Sequence, residues 1–222
     1  MISFSSDAIQ KAMQTTGMVP LFTHDDPGIA REVVEAAYQG GVRVFELTNR
    51  RPNAFDVFVS LLKHFEKYPD LMLGIGTIMD AATTKKFIDG GAQFIISPIM
   101  KLEMVEYCLR FDRPWIPGCA TLTEIITARD HGAKVIKLFP ASVLGPGFVS
   151  SIMPVVPDLQ LMITGGVEPN KENLSSWFKA GAMCVGMGSQ LFTKEILEAR
   201  NWDLLKQRVT DSMAIIKALR GR

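Results

Sequence analysis

The chain has 222 residues, enough for one large domain with a sizeable core or for two small ones. Its 24 lysines and arginines balance 23 aspartates and glutamates, which excludes an extended basic surface for nucleic acid or an anionic membrane, so any anion must be bound locally. The three cysteines are odd in number and widely spaced, which favours reduced thiols over a disulfide framework.

Two segments bear on the location of the protein. The N-terminus carries Asp7 and Lys11 and lacks a basic stretch followed by an apolar one, so it does not resemble a signal peptide and a cytoplasmic protein is expected. The longest uncharged stretch, residues 138–157, has the length of a membrane span, but prolines and glycines interrupt it repeatedly. We interpret this stretch as a loop-rich connection.

Short β-branched or apolar runs alternate with longer amphipathic segments along the chain. The segment at 29–37 is typical of the intervening helices, and the pattern also predicts an N-terminal helix and a C-terminal helix over 202–219. Asp26 before Pro27 and a capping box at 121–124 mark two helix starts. The apolar runs predict eight strands, at residues 19–22, 42–48, 71–76, 94–97, 115–116, 135–139, 160–163 and 183–186.

The alternation of strands and helices, without a linker or a low-complexity stretch, predicts an α/β fold. We expect a parallel (β/α)8 TIM barrel that forms a single domain over residues 1–222. A doubly wound open sheet is the main alternative, because both folds bury their strands on both faces and share the same periodicity. The positions of the polar residues must therefore distinguish them.

Polar residues stand repeatedly at the carboxyl ends of the predicted strands. In a barrel the βα loops converge at this end and the reactive groups collect there, so the repetition favours the barrel. Six strands end in this way, in the segments 46–50, 74–77, 97–98, 137–140, 164–166 and 186–189.

Lys137 interrupts the apolar run 135–139, where an ordinary lysine would be costly to bury. Burial disfavours the ammonium form, and the free amine that results can attack a carbonyl group and form a Schiff base. A snorkelling or salt-bridged lysine at a strand end is the structural alternative. This segment alone does not decide between the two.

Glu46 continues the predicted strand, and alternation puts it on the same side as Val42 and Val44. If that side faces the barrel interior, the carboxylate lies beside Lys137 and can move protons during carbinolamine formation, dehydration and carbon–carbon cleavage. The alternative is a structural ion pair between Glu46 and Lys137, which would also tolerate burial.

Glycines follow the seventh and eighth predicted strands, where barrels often bind phosphate with backbone N–H groups and a helix N-terminus. This position predicts a phosphate site at Gly165, Gly166, Gly188 and Ser189. Paired glycines also serve ordinary tight turns, so the prediction depends on where they stand in the fold.

Together and in chain order, these motifs resemble the 2-keto-3-deoxy-6-phosphogluconate and 4-hydroxy-2-oxoglutarate aldolase family. The resemblance runs from about Val19 to Phe192, and its most specific part is Lys-x-Phe-Pro-Ala combined with Glu-x-Thr-x-Arg. The matching segments are 46–50, 76–77, 94–98, 117–118, 137–141 and 164–166.

The resemblance implies a class I, metal-free aldolase without a cofactor, which cleaves a 2-keto-3-deoxy acid into pyruvate and an aldehyde and forms a homotrimer. Lys137 would form the Schiff base and Glu46 would be the general acid and base. The resemblance also implies that Arg50 and Thr77 would bind the pyruvate carboxylate, that Pro98 and Phe139 would line the site, and that Thr164 would bond a substrate hydroxyl. The residues that would bind a substrate phosphate are Gly165, Gly166, Gly188 and Ser189. The three histidines form no cluster with metal-ligand spacing, which also argues against a metal-dependent aldolase.

Several points stay open at the level of sequence. Arg51 is adjacent to Arg50, so the choice of carboxylate-binding arginine depends on register, and the departures from the family pattern at Ile163 and Met187 leave the preference for a phosphorylated substrate undecided. The same barrel could serve a phosphosugar isomerase or epimerase, although only Glu46 is a clear acidic candidate at a strand end. A noncatalytic sugar-acid binding protein would have no need for a buried lysine.

Overall fold

The computed structural model describes residues 4–221, which form a nearly closed barrel of parallel strands surrounded by helices. Hydrogen bonding joins the strands in the order β5-β4-β3-β2-β1-β9-β8-β7-β6, and every pair is parallel. The nine strands in this part of the chain are β1 (Met18–Phe22), β2 (Val44–Thr48), β3 (Met72–Gly76), β4 (Ile95–Ile96), β5 (Trp115–Ile116), β6 (Gly118–Cys119), β7 (Ile136–Leu138), β8 (Leu161–Thr164) and β9 (Cys184–Met187).

Pro117 follows the predicted fifth strand, residues 115–116, and separates β5 from the short additional strand β6. β5 pairs with β4 and β6 pairs with β7, so the two ends of the strand order are joined through this one residue. The Ile116 carbonyl accepts the N–H of Ser97 at 3.0 Å, and the Pro117 carbonyl accepts the N–H of Lys137 at 2.9 Å. An open doubly wound sheet would keep its two edge strands apart, so that alternative is wrong.

Helices follow the strands and cover the outside of the barrel. Asp26 accepts hydrogen bonds from the N–H groups of Gly28 and Ile29, and Thr121 with Glu124 forms the predicted capping box. The α-helices among residues 4–221 are α1 (Ser6–Thr16), α2 (Pro27–Gln39), α3 (Ala54–His64), α4 (Ala81–Asp89), α5 (Val105–Arg110), α6 (Leu122–Asp130), α7 (Ala141–Ile152), α8 (Lys171–Ala180), α9 (Lys194–Glu198) and α10 (Trp202–Leu219). Within the described residues, no helix has the length and apolar character needed to cross a membrane.

The uncharged stretch 138–157 is not a loop-rich connection, and that prediction is wrong. Most of it forms α7, which is kinked at Gly145, where the backbone has φ 73° and ψ 165°. Glycine adopts this left-handed conformation without a steric penalty, and Pro146 is tolerated because a proline can occupy the first turn of a resumed helix. The interruptions seen in the sequence therefore bend a helix without removing it.

The interior of the barrel is filled by side chains that alternate along the strands. Ile9 and Met13 of α1 are fully buried against this inner cluster, so the N-terminal helix closes the amino-terminal end of the barrel. Gly74 leaves space for the ring of Phe94, which would collide with a Cβ at that position. The strand and loop members of the inner cluster are Val19, Val44, Met72, Phe94, Ile96, Ile116, Val135, Met162, Met183 and Cys184.

Candidate active site

Glu46 and Lys137 continue the inner faces of their strands. Glu46 stands two residues after Val44 on β2, and Lys137 stands two residues after Val135 on β7, so alternation points both side chains into the barrel. Glu46 is 0% exposed and Lys137 is 3% exposed. The Nζ atom of Lys137 lies 5.2 Å from the centroid of the Phe139 ring. The apolar run thus buries its lysine inside the barrel, and the snorkelling alternative is wrong.

A glycine on the neighbouring strand makes room for the Glu46 side chain. β2 and β3 pair in the register that sets Thr48 opposite Gly76, and a Cβ at Gly76 would collide with the carboxyl group of Glu46. Neither carboxyl oxygen of Glu46 has a hydrogen-bond partner among residues 4–221. A hydrogen-bonded structural ion pair with Lys137 is therefore not what holds this carboxyl group in place.

Burial controls the protonation of Glu46. Removal from water raises the pKa of the Glu46 carboxyl group above its ordinary value, and the positive charges of Lys137 and Arg50 oppose this rise only in part. A carboxyl group whose pKa is raised holds its proton more readily than an exposed one, which suits a group that must donate and accept a proton.

The structure distinguishes the two adjacent arginines. The Nε of Arg50 donates a hydrogen bond to the Oγ1 of Thr77 at 3.3 Å, whereas Arg51 turns outward and pairs with Asp25 at 3.5 Å. Thr77 holds a left-handed backbone conformation with φ 62°, which is uncommon for a β-branched residue. Arg50 and Thr77 therefore stand together at the ends of β2 and β3.

An open cavity of about 340 Å³ lies at the carboxyl ends of the strands. The Oγ1 of Thr164, which is 5% exposed, has no hydrogen-bond partner among the described residues. The predicted site residues that line the cavity are Arg50, Phe139, Thr164, Gly165, Gly166, Gly188 and Ser189.

Four predicted residues are outside this lining. Glu46 and Lys137 each stand two residues before a lining residue, Thr48 and Phe139 respectively, and so lie one layer deeper in the barrel. Thr77 touches the site through Arg50. The fourth, Pro98, follows β4 and packs closely on β6, since a Cβ at Gly118 would collide with its carbonyl group.

Other cavity residues were not predicted from the sequence. Phe22 and Phe192 pack with ring centroids 5.1 Å apart in the cavity wall, and Thr23, Thr48 and Gln190 also line it. Thr23 follows the apolar run of β1, so the rule about polar strand ends applies to it as well. The two phenylalanines give no such signal, because an aromatic residue after a strand is equally typical of the core.

The turn after β9 leaves backbone donors free. The Gly188 carbonyl accepts the N–H groups of Leu191 at 2.8 Å and Phe192 at 3.0 Å. The N–H groups of Ser189 and Gln190 have no hydrogen-bond partner among residues 4–221. Free donors in such a turn are what an anion requires.

Cys119 lies next to the site in sequence but faces away from it. Its side chain belongs to the outer core between the strands and the helices, and burial, followed by the charge of Glu124, raises the pKa of the Cys119 thiol to about 12. A thiol with such a pKa stays protonated, so Cys119 serves as a packing residue.

The fold and the cavity define an α/β-barrel protein of the class whose active sites lie at the carboxyl ends of the strands. The family model described as KDPG and KHG aldolase matches residues 9–208, and the chain belongs to this family. The resemblance inferred from the motifs is thereby confirmed at the level of the family.

Relatives with curated descriptions and solved structures agree with this membership. The 2-dehydro-3-deoxy-6-phosphogalactonate aldolase of Escherichia coli is 31% identical over 150 residues, covering 67% of this chain and 69% of the relative. The 2-dehydro-3-deoxy-phosphogluconate aldolase of Pseudomonas aeruginosa is 30% identical over 187 residues, covering 83% and 82%. The crystal structure of KDPG aldolase from Legionella pneumophila, with pyruvate captured as a covalent carbinolamine, superimposes with a TM-score of 0.82 and 27% identity over 90% of this chain and 96% of that one.

Proposed function

We propose that this chain is a class I aldolase that cleaves a 2-keto-3-deoxy sugar acid or 4-hydroxy-2-oxoglutarate into pyruvate and an aldehyde. The observation that carries the proposal is a lysine amine, 3% exposed, inside the barrel with a fully buried carboxyl group that has no hydrogen-bond partner among the described residues. Such an arrangement is expensive to build and contributes nothing evident to stability. It is what amine-based carbonyl chemistry requires.

In the proposed reaction the Nζ of Lys137 attacks the C2 ketone and forms a carbinolamine. Protonated Glu46 donates its proton to the departing hydroxyl, water leaves, and a protonated imine forms. Glu46, now a carboxylate, accepts the proton of the C4 hydroxyl, directly or through a water molecule. The C3–C4 bond then breaks, its electron pair passes to the imine to give an enamine, and the aldehyde leaves. Glu46 returns the proton to C3 of the enamine, and water hydrolyses the resulting imine, which releases pyruvate and frees the amine of Lys137.

The rest of the site suits the two ends of such a substrate. The guanidinium of Arg50 can bind the pyruvate carboxylate bidentately beside the Thr77 hydroxyl. Phe139 and Pro98 would flank the keto acid, and the unpartnered hydroxyl of Thr164 would bond a substrate hydroxyl. At the far end of the cavity, Gly165, Gly166, Gly188 and Ser189 would bind a phosphate through backbone and hydroxyl donors.

The names of the relatives support this substrate class. Those from E. coli and P. aeruginosa are named for phosphorylated 2-dehydro-3-deoxy acids of the galactonate and gluconate series, which differ in configuration at C4. The carbinolamine in the L. pneumophila enzyme supports covalent catalysis by an amine. Cleavage rates for both acids, for the unphosphorylated acid and for 4-hydroxy-2-oxoglutarate would identify the aldehyde half.

Reductive trapping tests the proposal directly. Incubation with pyruvate and borohydride should convert Lys137 into N-(1-carboxyethyl)lysine, which trypsin does not cleave, so residues 135–171 should appear as one modified peptide in mass spectrometry. Lys134, which is exposed and paired with Asp7 at 2.8 Å, is the internal control and should stay unmodified. An unmodified Lys137 after full exposure would contradict the aldolase and favour an isomerase, an epimerase or a binding protein.

Three finer expectations belong to the same proposal. We interpret the fold as a (β/α)8 barrel whose fifth strand is broken at Pro117 into β5 and β6. A cytoplasmic location follows from the composition, and a homotrimer follows from the family resemblance. Light scattering coupled to size-exclusion chromatography would test the trimer by its mass.

A further inference from the structure

We propose that Arg208 on α10 is a positioning residue, which orients the turn at Gly188, Ser189 and Gln190 for the phosphate end of the substrate. This inference rests on the function proposed above. It concerns the aldehyde end of the cavity and leaves the chemistry at Lys137 unaffected.

Arg208 forms a two-pronged hydrogen bond to one backbone carbonyl. Its Nε donates to the Gln190 oxygen at 3.2 Å and its Nη2 donates to the same oxygen at 2.7 Å. Gln190 lines the cavity, whereas Arg208 approaches it from outside. The guanidinium therefore supports the wall of the site without entering it.

The helix that carries Arg208 is well anchored. Leu205 and Val209, which flank it on α10, are both 0% exposed. Val209 packs so closely on Gly40 that a Cβ at the glycine would collide with it. The anchored helix fixes the backbone of Arg208, and the two hydrogen bonds to the Gln190 carbonyl hold its guanidinium in place before a ligand arrives.

The hydrogen bond fixes the peptide group between Gln190 and Leu191 at both ends. The N–H of Leu191 donates to the Gly188 carbonyl at 2.8 Å, and the Gln190 carbonyl accepts Arg208. With this peptide group unable to rotate, the free N–H groups of Ser189 and Gln190 keep one orientation. An anion site built from backbone donors depends on that orientation, because the direction of a backbone N–H is set by its peptide plane alone.

The charge of Arg208 is also available to the turn. Arg208 forms no salt bridge with a carboxylate among residues 4–221. The charged residue in the cavity lining is Arg50, which is bonded to Thr77 on the keto acid side. Arg208 is therefore a cation bonded directly to the phosphate turn, and its field favours an anion there.

A purely structural tether between α10 and the barrel would predict a different result. Loss of a tether lowers the free energy of unfolding and affects all substrates alike. Loss of a positioning residue weakens binding only of substrates that carry the phosphate, so the KM values separate the two roles.

The test compares Arg208→Gln, Arg208→Lys and the control Lys206→Gln on 2-keto-3-deoxy-6-phosphogluconate and its unphosphorylated counterpart. Lys206 is an exposed cation on the same helix, and its side chain makes no hydrogen bond or ion pair within the described residues. Arg208→Gln should raise the KM for the phosphorylated acid by about tenfold, the loss of roughly one charged hydrogen bond, with kcat within about twofold. The KM for the unphosphorylated acid should not change, Lys206→Gln should match the wild type, and Arg208→Lys should recover part of the affinity.

Equal changes in KM for both acids, or no change for the phosphorylated one, would overturn the positioning role. If Arg208→Gln fails to fold, Arg208→Lys decides, because lysine keeps the charge and one donor. Borohydride trapping of pyruvate on every variant separates the two proposals. If the wild type traps pyruvate and Arg208→Gln keeps the wild-type preference for the phosphorylated acid, only the role of Arg208 is refuted. If the wild type traps no pyruvate, the aldolase is refuted as well.

Discussion

The two ends of the barrel interior are built from the same strands, but one end is lined by apolar side chains and the other by ionisable ones. At the amino-terminal end the inward side chains are apolar, and Ile9 and Met13 of α1 seal them from water. Two residues further along β2 and β7, the inward positions are Glu46 and Lys137, equally buried but charged or polar. The first end is packed for stability, and the second carries a desolvation cost that only a function explains.

The strongest test of this comparison is Lys137→Met. Methionine fills nearly the same volume without an amine, so pyruvate trapping should vanish and kcat should fall by at least about 10⁴-fold, as for loss of a catalytic nucleophile. The free energy of unfolding, measured with urea, should change little, because methionine suits this environment and the Glu46 carboxyl group, left without the Lys137 charge, can avoid a buried charge by taking up a proton. Large destabilisation would mean that the lysine serves the fold.

Glu46→Gln should separate catalysis from stability at the same end. Loss of the acid and base should lower kcat by about 10²–10⁴-fold. Because burial raises the pKa of Glu46 in the folded state, the folded protein binds its proton more tightly than the unfolded chain, and stability falls as pH rises from about 4.5 to the folded pKa. The variant lacks this fall, so urea denaturation should find it more stable than the wild type at pH 7.

The advantage of Glu46→Gln should shrink below pH 4.5, where the carboxyl group is protonated in both states. A stability difference that does not vary between pH 4 and pH 7 would show that desolvation of this carboxyl group is not what distinguishes the two ends.

At the amino-terminal end, Met13→Ala should give the opposite pattern. The change leaves a cavity between α1 and the barrel interior and should lower the free energy of unfolding by about 2–5 kcal/mol. At a temperature where the variant is folded, kcat and KM should stay close to the wild type. A marked loss of activity in the folded variant would mean that the two ends are coupled.

Gly76→Ala should cost less stability than Met13→Ala and tests the comparison at a single contact. A Cβ at Gly76 would collide with Glu46, which should cost about 1–3 kcal/mol and displace the carboxyl group. The cost should largely disappear in a Glu46→Ala background, because the colliding atoms are gone. A double-mutant cycle on the unfolding free energies measures this coupling, and additive costs would refute the steric explanation.

Secondary structure was accessible from the sequence because its signals are local. The apolar runs gave all the strands except β6 to within about two residues, and the helix predicted over 202–219 matches α10. The prediction for the stretch 138–157 was wrong because Gly145 and Pro146 were interpreted as helix breakers. In the structure Gly145 adopts a positive φ at the kink, and Pro146 stands in the first turn of the resumed helix. Local rules do not say which of these uses tertiary packing will select.

The candidate site was accessible only in part. Glu46 and Lys137 stand out because each places a charge within an apolar run. The choice of Arg50 over Arg51 required the hydrogen bond to Thr77, which lies 27 residues away along the chain. The sequence did not indicate that Gln190 lines the cavity or that Arg208 bonds to its carbonyl. A backbone carbonyl accepts hydrogen bonds whatever the side chain of its residue, so the sequence carries no signal for this contact.

By itself the sequence determined the order of strands and helices apart from β6 and α7, the family and the pair of buried ionisable residues. Periodicity and the cost of burying a charge depend on residues that are neighbours in the chain, so both can be inferred from the sequence. Tertiary structure alone decided the break at Pro117, the space that Gly76 leaves for Glu46, and the cavity wall held by α10. Each of these joins residues distant in sequence, and their contacts exist only once the barrel has closed.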